Sequence, residues 1–248
     1  MANPTLRPHT DRATETRSRI LEAALQEFSA FGLVGARTER IATAAGVNKA
    51  LLYYYFESKD NLYLAAVELI SDKIRDRSLR VMQRAATPGE RLLRAALDHF
   101  DRILAQQEFL SLMQHEMMRH HKGESAAMPL LVEKVFAPLQ AMYQATLREG
   151  METGELIRAD WLQMELAALG ANVFYFLSAP VWRMMLPFEP MAPESLAERR
   201  VALVEFLGQA VFADRSRGAE VAARVLGDSP MPEVKADWMG MRRKNERA

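Results

Sequence analysis

Residues 46–61, GVNKALLYYYFESKDN, restrict what this chain can fold into more than any other stretch. Glycine enters the left-handed backbone region without the clash a Cβ brings, so Gly46 marks a sharp turn. Val47 reads as a turn residue tucked against the core. Asn48 is a good helix N-cap, because its side-chain oxygen can accept an orphan N–H of the first turn. In the helix that follows, Leu52 and Phe56 lie four apart on one inward face. Tyr53, Tyr54 and Tyr55 fan through about 200° and cannot all be core. Ser58 then caps a further helix that Lys59 opens. Upstream, residues 38–45 (TERIATAA) read as a short helix with Thr38 as its N-cap. Helix, glycine turn, short helix is a geometry that lays the second helix in the major groove of DNA. The same turn is also common in proteins that bind no DNA.

The remaining pattern is helical and predicts an all-α chain, since no segment shows the two-residue alternation of a strand. Residues 16–31 carry Ile20, Leu21, Ala24, Leu25 and Phe28 at helical spacing, and Gly32 ends them. From Ser58 no breaker occurs before Pro88, so a rod of roughly 40 Å is expected. It joins an N-terminal domain to a C-terminal one. Thr87, Pro88 and Glu90 form a strong start signal for the next helix, to about residue 106. Further helices are expected over residues 108–120, 128–150 (kinked at Pro138), 161–178 (capped by Asp160 and interrupted after it by Pro180) and 194–212, with one short helix beyond Arg215. The domains read as a flexible arm over 1–14, a DNA-binding domain over 15–75 with its helix-turn-helix at about 38–57, an effector-binding and dimerisation domain over 76–215, and a partly disordered extension over 216–248.

Composition excludes several function classes. Lys+Arg and Asp+Glu are equal at 32, so the chain is no globally basic DNA coat, although a local positive face remains open. There is no cysteine, which removes disulfides, thiolate metal sites and cysteine nucleophiles. No stretch approaches the roughly 20 apolar residues of a membrane span, and the first residues do not form a secretory signal. A soluble cytoplasmic protein is expected, nucleoid-associated when bound to DNA. No nucleophile elbow, P-loop or dinucleotide-binding glycine pattern occurs, so no enzyme activity and no cofactor are expected. His115-Glu116-Met117-Met118-Arg119-His120 suggests a zinc motif but has one residue too many. Histidines five apart stand about 140° from each other on a helix and share no ligand face. No metal is therefore expected.

Elementary chemistry assigns roles within the helix-turn-helix. Lys49 and Ala50 occupy the exposed first turn of the second helix, where a Lys can reach a guanine edge and an Ala methyl can meet a thymine methyl. Outward tyrosine hydroxyls and the Thr38 hydroxyl suit phosphate oxygens, and Lys59 adds charge beside helix N–H groups. Residues 16–70 closely resemble the N-terminal domain of the TetR family of bacterial transcriptional regulators. The resemblance rests on Gly46-Val47-Asn48, Leu52-Tyr53, Phe56, Ser58-Lys59-Asp60 and Leu62, with ILEAALQEFSAFG at 20–32 and ERIATAAGV at 39–47 upstream. It implies Thr38, Asn48, Lys49, Ala50, Tyr53, Tyr54, Tyr55 and Lys59 as DNA contacts. Ala50 and Leu51 stand where Gly and Thr are frequent, and Glu57 where Pro is frequent.

For the rest of the chain, the resemblance implies a homodimer bound to a palindromic double-stranded operator and released by a small-molecule effector. The dimerising segments would be 161–178 and 194–212, where Leu162, Leu166, Leu169, Val173 and Leu177, and Leu203, Phe206, Leu207 and Val211, repeat at helical spacing. The small Ala167, Ala168, Gly170 and Ala171 would allow close helix approach. Packing within one subunit explains the same repeats equally well. An apolar or amphipathic effector would be lined by Phe100, Met113, Met117, Tyr143 and Phe174, with His99, His115 or Glu116 as polar fixtures. Fifteen methionines suit an adaptable cavity, and ordinary core packing uses the same residue types. The basic end at Arg242, Arg243 and Lys244 is expected to be solvated. The alternative reading is a DNA-binding architectural protein of the same fold that takes no effector.

Overall fold

The computed structural model describes the backbone of residues 9–83 and 87–232. In chain order the helices are α1 (His9–Gly35), α2 (Thr38–Ala45), α3 (Lys49–Phe56), α4 (Lys59–Gln83), α5 (Pro88–Ala105), α6 (Gln107–His121), α7 (Met128–Leu131), α8 (Ala137–Thr153), α9 (Trp161–Met185), α10 (Pro193–Val211) and α11 (Arg215–Gly227). Among the described residues no strand occurs, and the only β pairing is an isolated bridge between Leu156 and Phe212. The basic end at Arg242–Lys244 and the first part of the expected arm lie outside the described residues. The rest of that arm is helical, since α1 begins at His9.

The chain forms two compact units, Met1–Ile74 with Glu108–Phe136, and Arg75–Gln107 with Ala137–Ala248. The sequence reading placed residues 76–215 in one domain and 216–248 in an extension. Contacts instead group α6, α7 and the π-helical turn Val132–Phe136 with the N-terminal helices. Buried polar groups specify that grouping. Glu116 of α6 is fully buried, and it accepts from Tyr63 Oη at 2.6 Å, from Ser125 Oγ and from Arg119 Nη1 at 3.3 Å. Burial first, and the Glu116 carboxylate second, push the Tyr63 phenol pKa well above its ordinary value. Tyr63 also meets Phe28 edge to face at 4.9 Å in the core of this unit. His115 fills the space where a Cβ at Gly32 would sit, 3.2 Å from its Nδ1. Gly32 itself (φ 65, ψ 176) breaks α1 one turn before its end.

The second unit is built on α5, whose N-terminus has the expected cap, with Thr87 Oγ1 accepting from Glu90 N at 3.3 Å. Along α5, Asp98 and Asp101 are buried and paired. Asp101 takes a bidentate pair of bonds from Arg200 of α10 at 2.8 and 2.9 Å, and Asp98 pairs with Arg77 at 2.5 Å and Arg102 at 3.2 Å. Helices α10 and α11 touch backbone to backbone, and a Cβ on Gly218 would fall 1.9 Å from the Gly208 carbonyl. Only glycine permits that approach.

Two helix boundaries differ from expectation. The expected bend at Pro138 is a π-helical turn just before it, which widens the helix where the proline has no N–H to give. Helix α9 does not stop before Pro180 but continues to Met185. Ser178 Oγ, donating to Phe174 O at 2.6 Å and accepting from Trp182 Nε1 at 2.8 Å, ties the turns on either side of the proline together. The same helix has the length and mean hydropathy (1.3) of a membrane span, which corrects the expectation that no such stretch exists; only 33% of it is buried.

Candidate nucleic-acid interface and effector half

Gly46 takes the left-handed conformation (φ 66, ψ 37) and its N–H returns to the end of α2, which makes the turn. Asn48 caps α3 by accepting from Leu51 N at 2.7 Å. Leu52 and Phe56 point inward at 0% and 4% exposure. Ile41, Ala42 and Ala45 of α2 are buried within the same unit. Locking those faces leaves Lys49, Ala50 and Tyr54 on the outer side of α3, with Tyr54 79% exposed. Tyr53 and Tyr55 are half-buried, and Tyr55 packs edge to face on Tyr54 at 5.5 Å.

Thr38 is the first residue inside α2 and not its cap. Arg37 holds the cap position without a side-chain bond, and Thr38 is buried at 6% exposure. Its hydroxyl lies 3.3 Å from Tyr53 Oη. Lys59 donates from Nζ to the Val34 carbonyl at 3.2 Å, so part of its charge serves the end of α1.

One partner was missed in the sequence. Glu39 in the first turn of α2 forms an exposed ion pair with Lys49, which also lies 5.8 Å from the Tyr53 ring centroid. The pairing, by hydrogen bond and then charge, lowers the Glu39 pKa and raises that of Lys49. A separation of ten residues across a turn gave no local signal for it. Arg37, Arg40 and Lys49 all have exposed side chains around this turn, which gives the local basic face that zero net charge left open.

Known proteins extend this geometry. Residues 20–66 match the family model for bacterial regulatory proteins of the tetR family, and residues 88–207 match the tetracyclin repressor-like C-terminal domain. The chain belongs to the TetR family. The HTH-type transcriptional repressor NicS of Pseudomonas putida is 28% identical over 142 residues, covering 56% of this chain and 67% of NicS. The regulator RutR of Escherichia coli is 50% identical over 62 residues, covering 25% of this chain and 29% of RutR. A TetR transcriptional regulator from Chloroflexus aurantiacus shares the fold at a TM-score of 0.62 and 21% identity, with 82% of this chain and 98% of that one covered. Both halves of this TetR chain are thus matched, residues 20–66 and residues 88–207, each by its own family model.

The five expected pocket residues are divided between the two units. Met113 (buried) and Met117 (54% exposed) lie in the first unit. Phe100 and Tyr143 are buried in the second unit, on α5 and α8. Phe174 is 63% exposed on α9, in an open apolar groove of about 500 Å³ with Tyr175, Trp182, Leu186, Phe188 and Arg199. Of the polar fixtures, Glu116 and His115 are used inside the first unit, and His99 lies in the second, 3.3 Å from Asn172 Nδ2. Burial, and then the Arg102 charge, depress the His99 pKa and keep the ring neutral. The expected dimer stripe also divides. Leu203, Leu207 and Val211 of α10 are buried within the unit, whereas Leu162, Leu166, Leu177 and Phe206 remain exposed.

Proposed function

We propose that this TetR-family protein is a homodimeric transcriptional repressor that reads a palindromic operator through α3 and is released by a small molecule bound in its C-terminal half. The outer face of α3 carries the reading: an exposed Lys49, Ala50 and Tyr54 held on a helix whose other face is locked by Leu52 and Phe56. Lys49 and Ala50 face base edges, while Tyr54, Tyr55, Asn48 and Lys59 meet the phosphate backbone. Thr38 acts through Tyr53, whose hydroxyl it orients. Two-fold pairing supplies the second reading helix about one DNA turn away.

The dimer surface is the outer side of α9 with Phe206 of α10. Leu162, Leu166, Phe174, Leu177, Val181 and Met185 are all between 40% and 64% exposed, an apolar strip that water does not favour and a second copy would cover. The effector acts in the interior of α5, α8 and α9, where Phe100 and Tyr143 lie. It favours a state whose two recognition helices no longer match the operator spacing, and a few kilocalories of differential affinity suffice for that shift. Acting on bacterial DNA, the protein works in the cytoplasm.

Selection of purified protein against a random-sequence DNA pool tests the reading. An enriched palindrome is expected, and its absence with folded protein overturns it. Within the selected site, Lys59→Ala should weaken all sequences alike and flatten the salt dependence.

A further inference from the structure

Two adjacent arginines of α10 are used in opposite ways. Arg200 is buried and forms its bidentate pair with Asp101. Arg199, one residue earlier, reaches α9 instead. Its Nη2 donates to the Ala171 carbonyl at 3.1 Å, and its guanidinium carbon lies 5.4 Å from the Tyr175 ring centroid. A backbone bond and a ring face hold the group in place, and neither neutralises its charge. Among the described residues no carboxylate forms an ion pair with Arg199. Glu189, in the loop after α9, is paired with Arg183 at 3.0 Å.

Arg199 stands in the wall of the open groove of about 500 Å³, where Phe174, Tyr175, Trp182, Leu186 and Phe188 supply most of the lining. The hydrogen-bonding groups of those side chains are already used. Tyr175 Oη donates to the Pro190 carbonyl at 2.6 Å, and Trp182 Nε1 donates to Ser178 Oγ at 2.8 Å. What the groove offers is ring and alkyl surface with one charged residue, Arg199, in its lining. Small-molecule sites are built this way, with an apolar wall for the body and a single polar anchor for orientation.

We infer that this groove binds a small monocarboxylate with an apolar, ring-bearing body. The carboxylate pairs with Arg199, and the body lies against Trp182 and Phe188. A guanidinium has five N–H donors and the Ala171 carbonyl takes one, so donors remain for both carboxylate oxygens. Arg199 Nε is buried, so the terminal nitrogens receive the anion. An amine of the same shape meets a like charge, and a neutral analogue leaves the cation unpaired. The site is separate from the interior one proposed for the effector. It adjoins the outer strip of α9, since Phe174 belongs to both.

Three probes with one body test it: 6-phenylhexanoate, 6-phenylhexanamide and 6-phenylhexylamine. Affinities are read by isothermal titration of the full-length protein. The place of binding is read from Trp182 fluorescence in the Trp161→Phe, Trp238→Phe protein, where it is the only indole. The acid is expected to bind and to change Trp182 emission, the amide to bind about tenfold more weakly, and the amine not at all. Arg199→Gln, shown folded by its thermal melt, should bring the acid down to the affinity of the amide and leave the amide unchanged. Arg199→Lys, which keeps the charge without the fork, should fall between. Acid and amide binding alike, an unchanged acid affinity in Arg199→Gln, or no acid binding would each overturn the site. Trp182 emission that follows protein concentration but not the acid would also overturn it, and would give the groove to a second copy of the chain.

Discussion

Helices α3 and α9 are both amphipathic, in opposite senses. Helix α3 buries Leu52 and Phe56 and turns Lys49, Ala50 and Tyr54 outward. Helix α9 buries Glu165 and Asn172 and turns Leu162, Leu166, Phe174 and Leu177 outward. The side a helix leaves uncovered tells what is to cover it. A lysine and tyrosine hydroxyls suit phosphates and base edges, whereas an apolar strip suits another apolar strip. The inverted helix carries its signal on the outside, where outward leucines suit a protein partner.

Four experiments break or sharpen this contrast. The largest effect is expected from Leu166→Lys combined with Phe174→Lys, which places two charges on the outer strip of α9. Sedimentation should show a monomer at concentrations where the parent is a dimer, and operator affinity should fall by more than about a hundredfold. A dimer that survives both changes assigns the strip another role. On α3, Lys49→Ala should cost about tenfold to a hundredfold in operator affinity and relax base choice at one position per half-site, read by repeated selection. Unchanged discrimination would move base reading to Ala50 and the tyrosines.

A smaller effect comes from the inward side of α9. Because the folded-state pKa of Glu165 is raised, folding favours its neutral form. Its contribution to stability is most favourable below the unfolded carboxylate pKa of about 4.3 and declines as pH rises through the folded value. Glu165→Gln should remove that decline and raise the melting temperature at pH 7 by about 2–4 °C, with little change at pH 4. A lower melting temperature at pH 7 would show that the carboxylate is satisfied. The smallest effect is expected from Glu39→Gln, which frees Lys49. Operator affinity should rise about two- to fivefold for all sequences alike. A selective loss at one base would make Glu39 a reader in its own right.

The legible part of the fold was the part set by local rules. Asn48, Thr87 and Asp160 cap their helices as their residue types and positions require, and Gly46 turns because it lacks a Cβ. Thr38 was misread as a cap, since a threonine one position inside a helix start has the same local signature. Pro180 was read as an end, yet Ser178 and Trp182 carry α9 past it through bonds that become visible only in three dimensions. The expected pocket residues fall in two units, because a methionine or aromatic at helical spacing reports burial and not what it is buried against.

The sequence by itself determined the all-α class, the capped helix starts and the helix-turn-helix with its inward Leu52 and Phe56, all consequences of backbone sterics and of hydrophobic period. Tertiary structure alone decided that Glu39 meets Lys49, that Tyr63 meets Glu116, and that α6 belongs with the N-terminal unit. It alone decided that α9 faces its leucines outward and its Glu165 and Asn172 inward. Periodicity gives the angle between faces of a helix but not which face meets the core. That choice depends on the neighbours and partners that can cover each side.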